Sequence, residues 1–204
     1  MKVLIACECS GVVREAFKEL GYDAWSCDLE DTDIPSPNHH KGDVLEILND
    51  GWDLMIAHPP CTHLAISGAA WFKRKKESGV QDEAVEFFMK LANADIPHIA
   101  VENPVGIMST RWRRPDQIIQ PWLFGDSVQK KTCLWFKNLP MLEPTNIVDP
   151  GEFYTYKSGK RMPKWFADAW KLKPKERAKL RSQTFPGFAK AMAQQWGKYV
   201  EQQL

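Results

Sequence analysis

The sequence predicts an α/β fold: a mostly parallel sheet flanked by helices. Two patterns carry that expectation. Short apolar runs recur along the chain, and each ends abruptly at a Gly, Pro or Asp signal. Between several of them lie stretches with apolar residues at helical spacing. In sheets of this kind ligands bind beyond the carboxyl ends of the strands. Here those ends carry chemically useful residues, which points to an enzyme.

Residues 2–7 (KVLIAC) form the first run, expected as a buried strand. Gly11 opens a helical pattern of Val12, Val13, Ala16, Phe17 and Leu20, and Gly21 stands where a C-cap glycine belongs. Residues 22–27 read as a second strand ending at Asp28. Residues 30–41, with Asp, Pro, Ser and Asn, read as loop. Residues 43–48 suit a helical turn. Residues 52–57 suit a third strand, stopped by Pro59-Pro60. Residues 81–94 are amphipathic, with Ala84, Val85, Phe88, Leu91 and Ala92 on one face. Residues 96–101 and 132–136 give the fourth and fifth strands. Residues 143–173 show no clear period. Residues 174–181 look helical, and Pro186 opens a last helix with Phe188, Ala191, Met192 and Trp196 at helical spacing.

The chain has 204 residues, 44% apolar, with a formal charge of +1. That suffices for one domain with a real core, and no global field announces a polyanionic partner. The five cysteines are odd in number and irregularly spaced, against a disulfide framework. No signal-peptide pattern opens the chain, and no apolar run approaches the roughly 18–20 residues of a membrane span. The expectation is a reduced, cytoplasmic protein without a membrane partner.

Two motifs are sharper than the rest. His58-Pro59-Pro60-Cys61 puts a thiol after the third strand, on a path that two prolines hold extended. Such a thiol serves as a nucleophile when positive groups stabilise its thiolate. A buried structural cysteine is the alternative, and a metal site of His58, Cys61 and His63 is a weaker one. Glu102-Asn103-Pro104 puts a carboxyl group at the end of the fourth strand. It can bond the N3 and amino edge of a cytosine, making C6 electrophilic toward a thiolate. A salt-bridged glutamate is the alternative.

Cys9-Ser10-Gly11 joins the first strand to its helix, and Asp28 ends the next strand. With one glycine, the turn is not a dinucleotide fingerprint. A nucleoside ligand without phosphate suits it better, and so does an ordinary strand–helix turn. Asp43 can accept from an adenine amino group or cap the turn that follows it. The basic runs with Lys73 and Arg74, and with Arg111, Arg113 and Arg114, follow the two motifs. They carry Trp71, Phe72 and Trp112 alongside, which suits phosphate contact with base stacking, or a solvated face.

Taken in order, these residues resemble the DNA cytosine-5 methyltransferase family, in the compact form of phage and prophage members. Pro59-Pro60-Cys61 and Glu102-Asn103-Pro104 match its Pro-Pro-Cys and Glu-Asn-Val/Pro motifs. Residues 5–11 take the place of the first cofactor motif. Gly42-Asp43-Val44 takes that of the adenine-contacting motif, and Gln129-Lys130-Lys131 that of Gln-x-Arg-x-Arg. Residues 184–193 resemble the last motif.

The resemblance implies a Rossmann-like sheet and S-adenosylmethionine as cofactor, with DNA as partner, either a duplex with a flipped base or a single strand. It implies Cys61, Glu102 and Lys131 as catalytic residues. Cys9, Ser10, Gly11, Asp28, Asp43 and Pro59 fall on the cofactor side. It also implies a catalytic region over 1–142, a short insertion over 143–175 in place of a target-recognition domain, and a returning helical segment over 176–204. The chain departs from the pattern at His58, where the family has Gly, and at Cys133, where it has its second arginine. The short insertion leaves a second reading, an enzyme acting on pyrimidine nucleotides or single strands; the altered first motif and the lysines in place of arginine leave a third, a binding relative without catalysis.

Overall fold

The most apolar runs sit at the centre of the sheet, because only there are both faces of a strand covered. The computed structural model describes residues 1–204. Strand β1 (Lys2–Ala6) leads to helix α1 (Val12–Lys18), then to β2 (Asp23–Asp28) and β3 (His39–Lys41). A 3-10 turn at Val44–Glu46 precedes β4 (Leu54–Ala57). Next come a 3-10 segment at Ile66–Trp71, α2 (Phe72–Glu77), α3 (Val80–Ala92), β5 (His98–Pro104) and α4 (Met108–Arg111). β6 (Gln117–Ile119) and β7 (Thr132–Lys137) complete the main sheet. The hairpin β8 (Phe153–Thr155) and β9 (Arg161–Pro163) precedes α5 (Lys164–Ala169) and α6 (Pro174–Ser182). The chain closes with α7 (Pro186–Met192), a π turn at Ala193–Gly197 and α8 (Lys198–Glu201).

The seven strands lie in the order β3-β2-β1-β4-β5-β7-β6. All pairings from β3 to β5 are parallel, while β7 runs antiparallel to both its neighbours. The expected parallel α/β architecture is therefore present. β1 and β4 pair in the middle, with Val3–Ala6 and Leu54–Ala57 inaccessible to solvent. Alternate residues feed two cores, as the strand period of two requires. Val3, Ile5, Leu54 and Ile56 face Phe17, Phe188, Met192 and Trp196. Leu4, Ala6, Met55 and Ala57 face Phe88, Leu91 and Trp135.

Several elements differ from the sequence reading. His39–Lys41 was expected as loop but pairs in parallel with β2 at the sheet edge, where no apolar alternation is needed. β6 and the hairpin β8–β9 are three-residue strands, too short for a periodic signal. The last helix is broken by the π turn. There a Cβ on Gly197 would lie 2.5 Å from the Tyr22 ring, so the close approach of the two requires glycine.

Arg14 is fully buried on α1. It donates to the Ser26 and Thr32 hydroxyls and to the Ile34 carbonyl, and pairs with Glu15 at 2.7 Å. A buried guanidinium is tolerable only when its donors are used in this way. It fastens the loop after β2 against α1.

Candidate active site

The carboxyl edge of the sheet gathers the turn after β1, the end of β2, the Cys61 loop after β4 and Glu102 in β5. Two contacts tie the last two together. The Asn103 amide, buried, donates to the Pro59 carbonyl at 2.8 Å. Ala65 and Gly106 form a bridge, with Ile66 N–H on the Val105 carbonyl and Ile107 N–H on the Leu64 carbonyl. The carbonyl of Cys61 accepts from the N–H groups of Leu64 and Ala65, which turns the chain back beneath the thiol. The two proline-terminated motifs therefore form one braced unit.

Glu102 is largely enclosed, its side chain 14% exposed. Burial alone would raise its pKa. The His58 Nδ1 atom at 3.4 Å, the Lys130 charge and the Thr132 hydroxyl outweigh burial and hold the carboxyl below its ordinary range. Register explains the partners. Glu102 lies opposite Leu134, so Thr132 shares its face, and the same alternation favours Lys130 over Lys131. Lys130 donates to the Gln183 carbonyl at 2.8 Å, whereas Lys131 is exposed. Of the two adjacent lysines, Lys130 is the one whose charge acts on Glu102, while Lys131, expected from the motif, faces solvent.

Burial, and then the Glu102 charge, push the Cys61 thiol up; Lys130 and Arg181 pull it the other way. At rest the thiol is protonated near neutrality, with two cations placed to favour the thiolate. Arg181, on α6, was missed by sequence reasoning because nothing local says where α6 lies. Glu102→Gln is expected to speed alkylation of Cys61 by iodoacetamide at pH 7.5 about threefold or more, since one opposing charge is gone. An unchanged or slower rate would contradict this electrostatic arrangement.

On the β1 side, Glu8 is buried and accepts from Val13 N–H at 2.7 Å, Arg14 N–H at 3.3 Å and the Ser10 hydroxyl at 2.9 Å. It caps α1 and occupies the N–H groups that would otherwise hold an anion. Gly11 has φ of +74°, and a Cβ there would meet Arg14 Nη2 at 2.7 Å. Burial and then Asp28 raise the thiols of Cys7 and Cys9. Cys27 is pushed up to about 12 by burial, Asp28 and Asp43. Asp28 accepts from Glu30 N–H at 3.0 Å. Asp43 caps the 3-10 turn through Leu45 N–H at 3.0 Å and stays exposed. Pro59 is buried beneath this edge. The edge is therefore acidic. It suits a ligand with hydroxyl and amino donors and a positive charge, and offers the α1 terminus to no phosphate.

The basic runs divide. Lys73 and Arg74 are exposed on α2, whose Lys75 donates to the Thr62 carbonyl at 2.5 Å. Arg111 pairs with Asp82. Arg113 holds both oxygens of Asp116 at 2.7 and 2.8 Å and donates to the Phe136 carbonyl, away from Glu102 along β7. Arg114 is exposed. Trp112 makes a T-shaped contact with Phe88 at 5.9 Å and carries the Arg113 guanidinium over its ring at 4.5 Å, while Trp71 is 60% exposed.

No family model and no curated protein matches the chain. Among solved structures it is similar to a candidate DNA modification methyltransferase encoded within a prophage of E. coli. That match has a TM-score of 0.50 and 16% identity, over 73% of this chain and 52% of that one. It is also similar to an Entamoeba histolytica methyltransferase, with a TM-score of 0.45 and 13% identity, over 72% and 57%. The chain thus spans little more than half of either. The first likeness is one of fold: the two chains share a mostly parallel α/β sheet flanked by helices. No helix is long and apolar enough to cross a membrane.

Proposed function

We propose that this chain transfers a methyl group from S-adenosylmethionine to C5 of cytosine in DNA through a covalent Cys61–C6 adduct. The bracing of Cys61 and Glu102 into one unit at the carboxyl edge carries the reading. The likeness in fold to a DNA modification methyltransferase from a prophage supports DNA as the partner.

In this reading, S-adenosylmethionine, when bound, supplies an electrophilic methyl group. Its ribose hydroxyls suit Asp28, its adenine amino group suits Asp43, and its positive charge suits the acidic edge beside Cys9, Ser10, Gly11 and Pro59. Cys61, as thiolate, adds to C6 of the cytosine. Glu102 accepts from the amino group and, taking a proton from solvent as the base enters, passes it to N3, which moves ring electrons toward C5. C5 takes the methyl group, gives its proton to solvent water, and expulsion of the Cys61 thiolate, with return of the N3 proton to Glu102, restores the ring. Lys130 balances the charge of Glu102, and His58 fixes its orientation. Residues 1–142 carry this chemistry, 143–175 stand in place of a target-recognition domain, and 176–204 return to the catalytic region.

The test is duplex DNA bearing 5-fluorocytosine, incubated with the protein and S-adenosylmethionine. The fluorine blocks loss from C5, so a methylated protein–DNA adduct is expected on a denaturing gel. No adduct with any DNA, together with no heat of S-adenosylmethionine binding, would overturn the reading. A second reading keeps the chemistry and changes the substrate to a pyrimidine nucleotide or single strand. It is favoured by the short stretch between β7 and α7. Preference for dCMP, dUMP or single-stranded oligonucleotides over duplex would select it.

A further inference from the structure

Helix α6 crosses the carboxyl edge of the sheet and presents cations to it. Near its middle, Lys179 pairs with Asp33 at 2.6 Å, and Asp33 N–H is held on the Cys9 carbonyl at 2.7 Å. Just past its end, the Gln183 carbonyl takes the Lys130 ammonium. The second half of the helix is therefore tied at one point to the β1–α1 turn and at another to the segment before β7, with Arg181 between them close enough to act on the Cys61 charge. Pro174 opens it, and Glu176 accepts from Lys173 N–H at 3.3 Å, fixing the first turn.

Its arginines are held stiffly. Arg177 lies over the Trp170 ring at 4.6 Å and Arg181 over the Phe166 ring at 4.4 Å. Trp170 and Phe166 are themselves four residues apart, at and near the end of α5. The two stacked pairs form matched rungs, with the guanidinium groups one helical turn, roughly 6 Å, apart. Stacking fixes the plane of each guanidinium and leaves its N–H edge for a bidentate partner. Arg181 is half-buried beside Cys61, and no carboxylate neutralises either arginine.

We propose that α6 is a phosphate-binding strap: Arg177 and Arg181 grip successive phosphates of a nucleic-acid strand and so seat the reacting nucleotide over Cys61. This rests on the methyl-transfer reading above for what happens at Cys61. It assigns strand binding to α6, in addition to the exposed Lys73 and Arg74 of α2. The chemistry demanded is polymeric, since two phosphates one turn apart belong to a strand and not to a mononucleotide.

The test measures fluorescence anisotropy of a labelled cytosine-containing oligonucleotide, single-stranded and duplex, from 50 to 300 mM salt. Arg177→Gln and Arg181→Gln are each expected to flatten log Kd against log salt by about one, and the double variant by about two. Lys198→Gln, at the far end of the chain, is expected to leave the slope unchanged. Circular dichroism confirms that each variant is folded. A double variant with the slope of the unaltered protein overturns the strap. The same preparations are offered 5-fluorocytosine DNA. An adduct with an unchanged slope rejects the strap alone, and a flattened slope with no adduct in the unaltered protein rejects the methyl-transfer reading alone.

Discussion

Cys61→Ser is expected to reduce methyl transfer by about 10⁴-fold or more and to abolish the 5-fluorocytosine adduct. A reacting nucleophile cannot be replaced by the binding and electrostatic effects of its neighbours. The alcohol is far less acidic than the thiol, so Lys130 and Arg181 cannot bring it to the reactive anion. The change is nearly isosteric and the thiol accepts no structural hydrogen bond, so stability is expected to stay within about 1 kcal/mol. Radiolabel transfer to DNA measures the first effect and thermal unfolding the second. Transfer at even a tenth of the unaltered rate would remove Cys61 from the reaction.

Gly106→Ala is the second large effect, and it acts through geometry. An added Cβ would lie 2.2 Å from the Leu64 carbonyl oxygen and 2.9 Å from its carbon, with Ala65 Cα at 3.1 Å. All three are backbone atoms with no flexible end to move. The bridge between the Cys61 loop and the loop after Glu102 must open. Overpacking of this kind costs about 1–3 kcal/mol. The larger consequence is catalytic: a shift of the thiol relative to Glu102 by about 1 Å is expected to cost about 10²-fold in rate. Most of the cofactor side, Cys9 to Gly11, Asp28 and Asp43 at the ends of β1, β2 and β3, does not share this contact. Binding of S-adenosylmethionine is therefore expected to persist while adduct formation slows. Equal loss of both would show a general collapse instead.

Much of the central architecture was legible because buried strands announce themselves. The runs at β1, β4, β5 and β7 are apolar on both faces, and two proline motifs mark where strands give way to loops. Cys61 and Glu102 could be paired from sequence because their strands are neighbours in the sheet. What stayed hidden depends on long-range placement. His39–Lys41 is an edge strand whose polar residues look like loop. Lys130 and Lys131 are indistinguishable until β7 registers against β5. Arg111 and Arg113 read as free cations until Asp82 and Asp116 arrive beside them, and Trp112 read as a base-stacking surface until Phe88 and the Arg113 guanidinium did. His58 was visible as a departure from the family pattern, but its role beside Glu102 needed the fold. The use of Glu8 as the cap of α1 likewise needed the fold, since its partners are the N–H groups of Val13 and Arg14.

The core beneath α1 has a consequence for how the protein is made. Val3, Val13 and Phe17 pack in one cluster with Phe188, Met192, Trp196 and Val200. β1 and α1 thus wait during synthesis until α7 and α8 have been made before their apolar face is covered. Such distant pairings fold slowly and leave apolar surface open in the meantime. The nascent half is a natural client for chaperones. Slowing synthesis between β7 and α7 should lengthen that vulnerable interval without touching a single residue of the site.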